Sequence, residues 1–143
     1  MGMKMTQGIL GLTLGFVTAV LIACANTTPN TAPSAIEYAR VGGFAGFNDS
    51  LTIDAKGHAV VSRRSGKSEF DLDAAALKKL ADAFQTTGFA SIPTDSMPRG
   101  NVADAFNYTV TYQGHTVKTA DSAVPKAMQP LLEMLNQFVN AAR

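Results

Sequence analysis

The segment Phe106 to Tyr112 alternates more strictly than any other part of the chain. Aromatic and apolar side chains occupy every second position, and small polar side chains occupy the positions between them. Because successive side chains of a strand point to opposite faces, this pattern predicts a strand with one buried face and one polar face. Gln113-Gly114 follows as a turn and predicts a hairpin whose second strand places His115, Val117 and Thr119 on the aromatic face.

Shorter alternating segments earlier in the chain predict further hairpins. Ile36 to Val41, Asp49 to Ile53 and His58 to Arg63 are expected to be three successive strands. A two-residue turn at Ser65-Gly66 is expected to start the next hairpin, pairing Val61 with Phe70 and Ala59 with Leu72. The cluster formed by Arg63, Arg64 and Lys67 around this turn is interpreted as the solvated tip of that hairpin.

Two helices are expected. Asp73 is positioned as an N-cap before apolar residues at helical spacing, namely Leu77, Leu80, Ala81 and Phe84, and Gly88 is expected to end this helix. Residues 93–101 are expected to form a loop. A second helix follows Pro125, with a break or fresh start near Gln129 because Pro130 cannot lie inside a helix.

These elements predict the fold class. Hairpins, helix, hairpin and helix in succession indicate an α+β domain, with an antiparallel β-sheet built from hairpins and two main helices packed on one face. We expect this domain to span residues 35–143.

The N-terminal part of the chain resembles a lipoprotein signal peptide, predicted at residues 1–23. Lys4 precedes a charge-free apolar segment, Ile9 to Ile22, which is too short for a comfortable membrane span. Leu21-Ile22-Ala23-Cys24 resembles the bacterial lipobox, so Cys24 is expected to carry the lipid (palmitate-type acyl chains). Residues 24–34 then form a flexible tether. The resemblance implies a lipid-anchored cell-envelope location, at the outer membrane if the organism is Gram-negative, because Ala25 follows the cysteine.

Charge argues against nucleic acid as a partner. Removing Lys4 from the 12 basic residues leaves 11 against 11 acidic residues, and no basic stripe remains. Cys24, the only cysteine, is assigned to lipidation, so neither a disulfide nor a cysteine nucleophile is expected.

The residues typical of catalysis or metal binding are also sparse. His58 and His115 are distant in sequence and belong to no metal-binding motif, and Asp71 and Asp73 are interpreted as helix-start residues. The chain lacks the GxSxG motif and a phosphate-binding loop. We therefore expect no enzyme activity, no cofactor, no metal and no small-molecule substrate.

A glycine- and phenylalanine-rich loop is the strongest candidate for a binding site. Two readings of it remain open: a turn whose two aromatic rings fold back into the core, or a loop that displays an aromatic ring on an unusual backbone. The residues of this candidate binding loop are Gly42, Gly43, Phe44, Ala45, Gly46 and Phe47.

Five segments within residues 36–139 match the pattern of a known family: Gly42 to Gly46, Gly88-Phe89, Asp104 to Thr111, His115 to Val117 and Val124 to Leu132. Through them the domain resembles the emfourins, proteinaceous inhibitors of thermolysin-like (M4) metallopeptidases, and the candidate loop, Gly42 to Phe47, is the protease-binding loop that this resemblance implies. It implies a non-enzymatic inhibitor that blocks the zinc-containing cleft of its target. Thermolysin-like enzymes prefer a bulky apolar side chain just after the scissile bond, and Phe44 could occupy that pocket.

The chain departs from the family pattern in two ways. Basic residues often follow the glycine-rich segment in the family, whereas this chain has Asn48-Asp49. A lipoprotein signal is also atypical. An alternative function therefore stays open, in which the chain is a non-inhibitory envelope lipoprotein that serves as a protein-binding or assembly module.

Overall fold

Strand β1 (Ile36–Gly42) lies at the centre of a seven-stranded sheet. The computed structural model describes residues 35–100 and 102–142, and the predicted signal peptide, Cys24 and the tether lie outside these residues. The other strands are β2 (Phe47–Ile53), β3 (His58–Arg63), β4 (Gly66–Asp71), β5 (Asp95–Ser96), β6 (Phe106–Tyr112) and β7 (His115–Ala120), and the order in the sheet is β4-β3-β2-β1-β6-β7-β5.

Neighbouring strands are antiparallel except for β5, which pairs in parallel with β7. The alternation of Phe106 to Tyr112 is confirmed, since Tyr108, Val110 and Tyr112 are buried and the residues between them are not. The hairpin turn at Gln113-Gly114 is also confirmed, with φ of 51° and 77° at its two residues.

Two helices cover one face of the sheet, α1 (Ala74–Thr87) and α2 (Gln129–Ala141). The Asp73 carboxylate accepts a hydrogen bond from the backbone N–H of Ala76 at 2.7 Å, and Gly88 ends α1 in the left-handed conformation, as predicted. A fresh start at Gln129 is confirmed, with Pro130 in the first turn of α2, where its missing N–H costs nothing.

The hydrophobic core lies between the helices and the sheet. It combines alternate residues of the central strands with one side of each helix, which makes the domain α+β as expected. Phe84 of α1 stacks on Tyr112 of β6 with ring centroids 4.0 Å apart. The fully buried side chains of the core include Tyr38, Leu51, Ile53, Val61, Leu80, Phe84, Val110, Val117, Met128, Leu131, Leu135 and Val139.

The β3–β4 hairpin corrects one prediction. The predicted pairs, Val61 with Phe70 and Ala59 with Leu72, are wrong: Ala59 lies opposite Phe70, and Val61 lies opposite Ser68. The two-residue loop consists of Arg64 and Ser65 rather than Ser65 and Gly66, because Gly66, with φ of 137°, begins β4 after the turn. The register moves by two residues, so the side chains keep the faces predicted for them.

One strand boundary and one loop differ from the sequence prediction. The second strand begins at Phe47 rather than Asp49. The segment expected to be an irregular loop contains β5, which is held against β7 by backbone pairing and by the N–H of Lys118 donating to the Thr94 carbonyl at 2.9 Å. Among the described residues, no helix is both long and apolar enough to cross a membrane.

Candidate functional site

The predicted binding loop joins the central strand β1 to β2 as a tight turn. The N–H of Gly46 donates to the carbonyl of Gly43 at 2.9 Å, which closes a four-residue turn with Phe44 and Ala45 in its middle. Gly43 and Gly46 have φ of 69° and 61°, the left-handed conformation that most side chains resist. The six loop residues therefore form one compact, closed turn.

Phe44 lies at the tip of this turn and is 94% exposed, the most exposed large apolar side chain among the described residues. Phe47 differs, since it is 42% exposed and packs against Phe106 of β6 with ring centroids 5.5 Å apart. Phe44 therefore fits the reading in which the loop displays an aromatic ring, whereas Phe47 leans against Phe106 at the surface of the sheet and is not part of the core.

Close packing on β6 explains why glycines begin the loop. A Cβ atom on Gly43 would lie 2.7 Å from a ring carbon of Phe106, and one on Gly42 would collide with the carbonyl oxygen of Ala105. The N–H of Gly43 also donates to this same carbonyl oxygen at 3.3 Å. The base of the turn is thus held against β6 while its tip projects.

A buried ion pair lies beneath the loop. Arg40 of β1 and Asp49 of β2 are directly opposite each other, and the guanidinium donates to the Asp49 carboxylate at 2.5 Å. Their side chains are only 11% and 5% exposed. The Arg40 guanidinium also lies beside two neighbouring aromatic rings, 5.4 Å from the centroid of Phe47 and 5.3 Å from that of Phe106, within the range of cation–π attraction.

Helix α2 connects this ion pair to the rest of the domain. The side-chain oxygen of Asn136 accepts hydrogen bonds from the Tyr38 hydroxyl at 2.8 Å and from the Arg40 guanidinium at 2.9 Å. Burial raises the pKa of Tyr38 well above its usual value, which keeps this hydroxyl a hydrogen-bond donor. The ends of β1 and β2 are thereby fixed to α2 directly below the loop.

A second polar contact fixes the start of β6. Asp121 accepts a hydrogen bond from the Tyr108 hydroxyl at 2.6 Å and another from the backbone N–H of Phe106 at 3.0 Å. Burial, together with this hydrogen bond and the negative charge of Asp121, raises the pKa of Tyr108. This contact fixes the backbone of Phe106 and so positions the ring that packs against Gly43 and Phe47.

The tip of the β3–β4 hairpin also reaches the loop. Arg64 is exposed, as expected for a hairpin tip, but its guanidinium donates to the carbonyl of Gly46 at 2.8 Å. Sequence interpretation missed this contact, because nothing in the spacing of residues 46 and 64 links the turn to the hairpin.

Sequence interpretation also missed the Arg40–Asp49 pair, although the sequence carries a signal for it. Arg40 lies an even number of residues from Ile36 and Tyr38, and Asp49 lies an even number from Leu51 and Ile53. Each charged side chain is therefore on the same face of its strand as these buried apolar side chains. Opposite charges on the core faces of neighbouring strands indicate a buried pair. Asp49 is thus committed to Arg40 inside the domain.

The residues considered for catalysis or metal binding make contacts outside the loop, and among them only His58 and Asp71 are joined by a contact within the described residues. His115 is within 2.8 Å of the Ile92 carbonyl, and its ring packs edge-on against Phe89. His58 contacts the Asp71 carboxylate at 2.9 Å, while Asp73 caps α1. Among residues 35–100 and 102–142, no group of three or more His, Cys, Asp or Glu residues is arranged to hold a metal ion.

Comparison with known protein families finds a match that covers most of the described domain. The family model described as Emfourin matches residues 38–136, which include the loop, the ion pair, the β3–β4 and β6–β7 hairpins and most of α2. No curated protein is found to be similar to the chain.

Proposed function

Because the chain belongs to the emfourin family, whose members are inhibitory rather than catalytic, we propose that it inhibits a thermolysin-like (M4) zinc metallopeptidase by blocking the active-site cleft. The family match confirms the resemblance found in the sequence. The choice of an M4 enzyme and the use of the Gly42–Phe47 loop are our proposals.

The observation that carries this proposal is the exposure of Phe44. A large aromatic ring that is 94% exposed adds nothing to the core, and it lies at the tip of a turn whose base is closely packed. Aromatic side chains that fill a pocket on a partner are typical hot spots of protein interfaces. A pocket that accepts a bulky apolar side chain after the scissile bond would suit this ring.

The supports beneath the loop favour tight binding. The Gly43–Gly46 hydrogen bond, the Phe106 ring and the Arg64 contact all restrict the backbone before any partner arrives. Less conformational entropy is then lost on association, so more of the contact energy is available for affinity.

The same backbone favours inhibition over cleavage. Proteases bind substrate segments as extended chains, whereas Gly43 and Gly46 hold φ of 69° and 61° in a closed turn. Extending this turn would break the Gly43–Gly46 hydrogen bond and separate Gly43 from the packed Phe106 ring. We expect the loop to occupy the cleft without adopting the geometry needed for peptide hydrolysis.

We also propose that Cys24 is lipidated and anchors the inhibitor in the cell envelope, at the outer membrane if the organism is Gram-negative. The support is the lipobox-like Leu21-Ile22-Ala23-Cys24 after a charge-free segment. More than one acyl chain on Cys24 would give stable attachment, since a single chain binds membranes only marginally. Replacing Cys24 with Ser should abolish fatty-acid labelling and release the protein from membranes, and unchanged labelling would contradict this.

An inhibition assay tests the main proposal. The full-length protein is titrated against thermolysin with a peptide substrate, alongside a serine protease and a zinc protease of another family as controls. We expect stoichiometric, competitive inhibition of thermolysin and no effect on the controls. Absence of inhibition, or cleavage within residues 42–47 at the rate of an ordinary substrate, would disprove the inhibitory role of this loop.

A further inference from the structure

The tip of the β3–β4 hairpin and the Gly42–Phe47 loop form one continuous surface. The two segments are distant in sequence, yet the Arg64 guanidinium donates to the Gly46 carbonyl at 2.8 Å. Between them lies an open groove of about 370 Å³, lined on the loop side by residues 45–49, which include Gly46, Phe47 and Asp49, and on the hairpin side by residues 63–65, which include Arg63 and Arg64. A partner that contacts the loop therefore lies next to the hairpin tip.

The charge of this groove is one-sided. Arg64 and Lys67 are exposed at the hairpin tip, and no acidic residue lies between them or on β3. The one carboxylate that lines the groove belongs to Asp49, which is 4% exposed and already paired with Arg40. Arg63 and Arg64 line the groove on the hairpin side, whereas the acidic residues of the hairpin, Glu69 and Asp71, lie further along β4 and do not line it.

Arg63 contributes a further hydrogen-bond donor on this side. Its Nη2 atom is buried and has no hydrogen-bond partner among the described residues. Unpaired buried donors are costly, and a turn of the Arg63 side chain toward the groove would let this donor pair with an acceptor oxygen of a partner. Donors and positive charge in one groove favour a carboxylate or a carbonyl as the bound group.

We propose that the hairpin tip is a second part of the protease-binding surface, and that its groove receives a carboxylate-bearing segment at the rim of the target's cleft. This inference rests on the proposed inhibitory function and adds a recognition element to it. Phe44 would supply the apolar contact, while Arg64 and its neighbours attract the acidic rim. Charges at the edge of an interface act mainly on the association rate, and salt screens them.

Two single substitutions that each remove one positive charge test this inference. Arg64→Gln changes the hairpin tip, and Lys56→Gln changes the exposed β2–β3 turn at the opposite end of β2. Association and dissociation rates of the full-length protein with thermolysin are measured at low and at high ionic strength. We expect Arg64→Gln to lower the association rate about fivefold at low ionic strength and the difference to vanish near 1 M salt, with Lys56→Gln close to wild type.

A third variant separates charge from loop positioning. Arg64→Lys keeps the charge but lacks the planar guanidinium that reaches Gly46. We expect Arg64→Lys to retain most of the association rate. If it is as slow as Arg64→Gln and salt makes no difference, Arg64 only positions the loop and the proposed acidic partner is disproved.

The remaining outcomes are also distinguishable. If wild type inhibits and Arg64→Gln associates as fast as Lys56→Gln, the hairpin tip is not part of the interface, although the inhibitory function stands. If wild type itself does not inhibit, the proposed function fails, and this inference fails with it.

Discussion

The single side chain on which the proposed function depends is Phe44. Its ring is 94% exposed, so its removal withdraws almost no buried area from the folded domain. We expect Phe44→Ala to weaken inhibition by about 2 kcal/mol or more, roughly thirtyfold in the inhibition constant, while the melting temperature stays almost unchanged.

A core phenylalanine provides the matched control for this substitution. Phe84 is 1% exposed and stacks on Tyr112, so Phe84→Ala should cost about 3–5 kcal/mol of folding stability. Inhibition by the fraction that remains folded should be unaffected. If Phe44→Ala instead lowers the melting temperature and inhibition together, the ring supports the fold and is not the anchor.

Gly43 is the second residue whose identity the loop requires. An alanine there would be strained by the φ of 69° and would place its Cβ 2.7 Å from the Phe106 ring. Gly88 has almost the same φ, 62°, but open space around its Cβ position. Gly88→Ala should therefore cost only the left-handed strain, about 1–2 kcal/mol, and Gly43→Ala should cost more.

Comparison of the two alanine variants isolates the effect of packing on Phe106. Denaturant unfolding measures both stabilities, and the same samples are assayed for inhibition. We expect Gly43→Ala alone to weaken inhibition, because the base of the turn must move away from β6. If Gly43→Ala and Gly88→Ala lose the same stability and both still inhibit, packing of Gly43 against Phe106 is not required for the binding conformation of the loop.

Among the secondary-structure elements, the β3–β4 hairpin carries a pH-sensitive contact. His58 on β3 contacts Asp71 on β4 at 2.9 Å, with Glu69 at 3.7 Å and Asp54 also close. The hydrogen bond with Asp71, reinforced by these negative charges, raises the pKa of His58 above its ordinary value of 6.5. Protonated His58 therefore stabilises the pairing of β3 with β4.

The sign of the pH effect follows from this raised pKa. The stabilising contribution is complete below about pH 6.5, where the histidine of the unfolded chain is protonated as well, and it is lost as the pH rises through the folded-state pKa. The free energy of unfolding of wild type relative to His58→Gln should thus decrease from pH 6 to pH 8. Asp71→Asn, which removes the main cause, should abolish most of this slope, and a slope that persists would contradict the assignment.

The elements also show how far local sequence patterns determine this fold. Alternation predicted β1, β3 and β6 closely, because each strand has one buried face and one polar face. It placed the β3–β4 register two residues away, since a shift of two keeps every side chain on the same face and only the turn geometry distinguishes the two registers. The short β5 strand was missed because backbone pairing with β7, and no side-chain pattern, creates it.

The candidate site shows the same limit. The six loop residues were predicted from glycine and phenylalanine content, but their sequence left open whether the rings project or fold back. Tertiary contacts decide this, since Phe47 packs on Phe106 while Phe44 has no neighbour on the sheet. Arg64 could not be predicted, because it approaches Gly46 only once β2, β3 and β4 have paired.

For the whole molecule, the hydrophobic core and the proposed binding surface lie within one segment of the chain. The core cluster runs from Ile36 to Ala142, and the loop, the ion pair and the hairpin tip lie between these residues. A chain of this length buries enough surface to fold without disulfides or metal. The domain predicted at residues 35–143 should therefore contain all that inhibition needs.

Expression of residues 35–143 alone tests this directly. We expect the fragment to unfold cooperatively with a melting temperature within about 2 °C of the full-length protein, because the buried apolar contacts among the described residues are retained. Its inhibition constant should equal that of the full-length protein, since the loop and its supports are unchanged. A fragment that folds but does not inhibit would show that residues before 35 take part in binding, and an unfolded fragment would show that the core needs them.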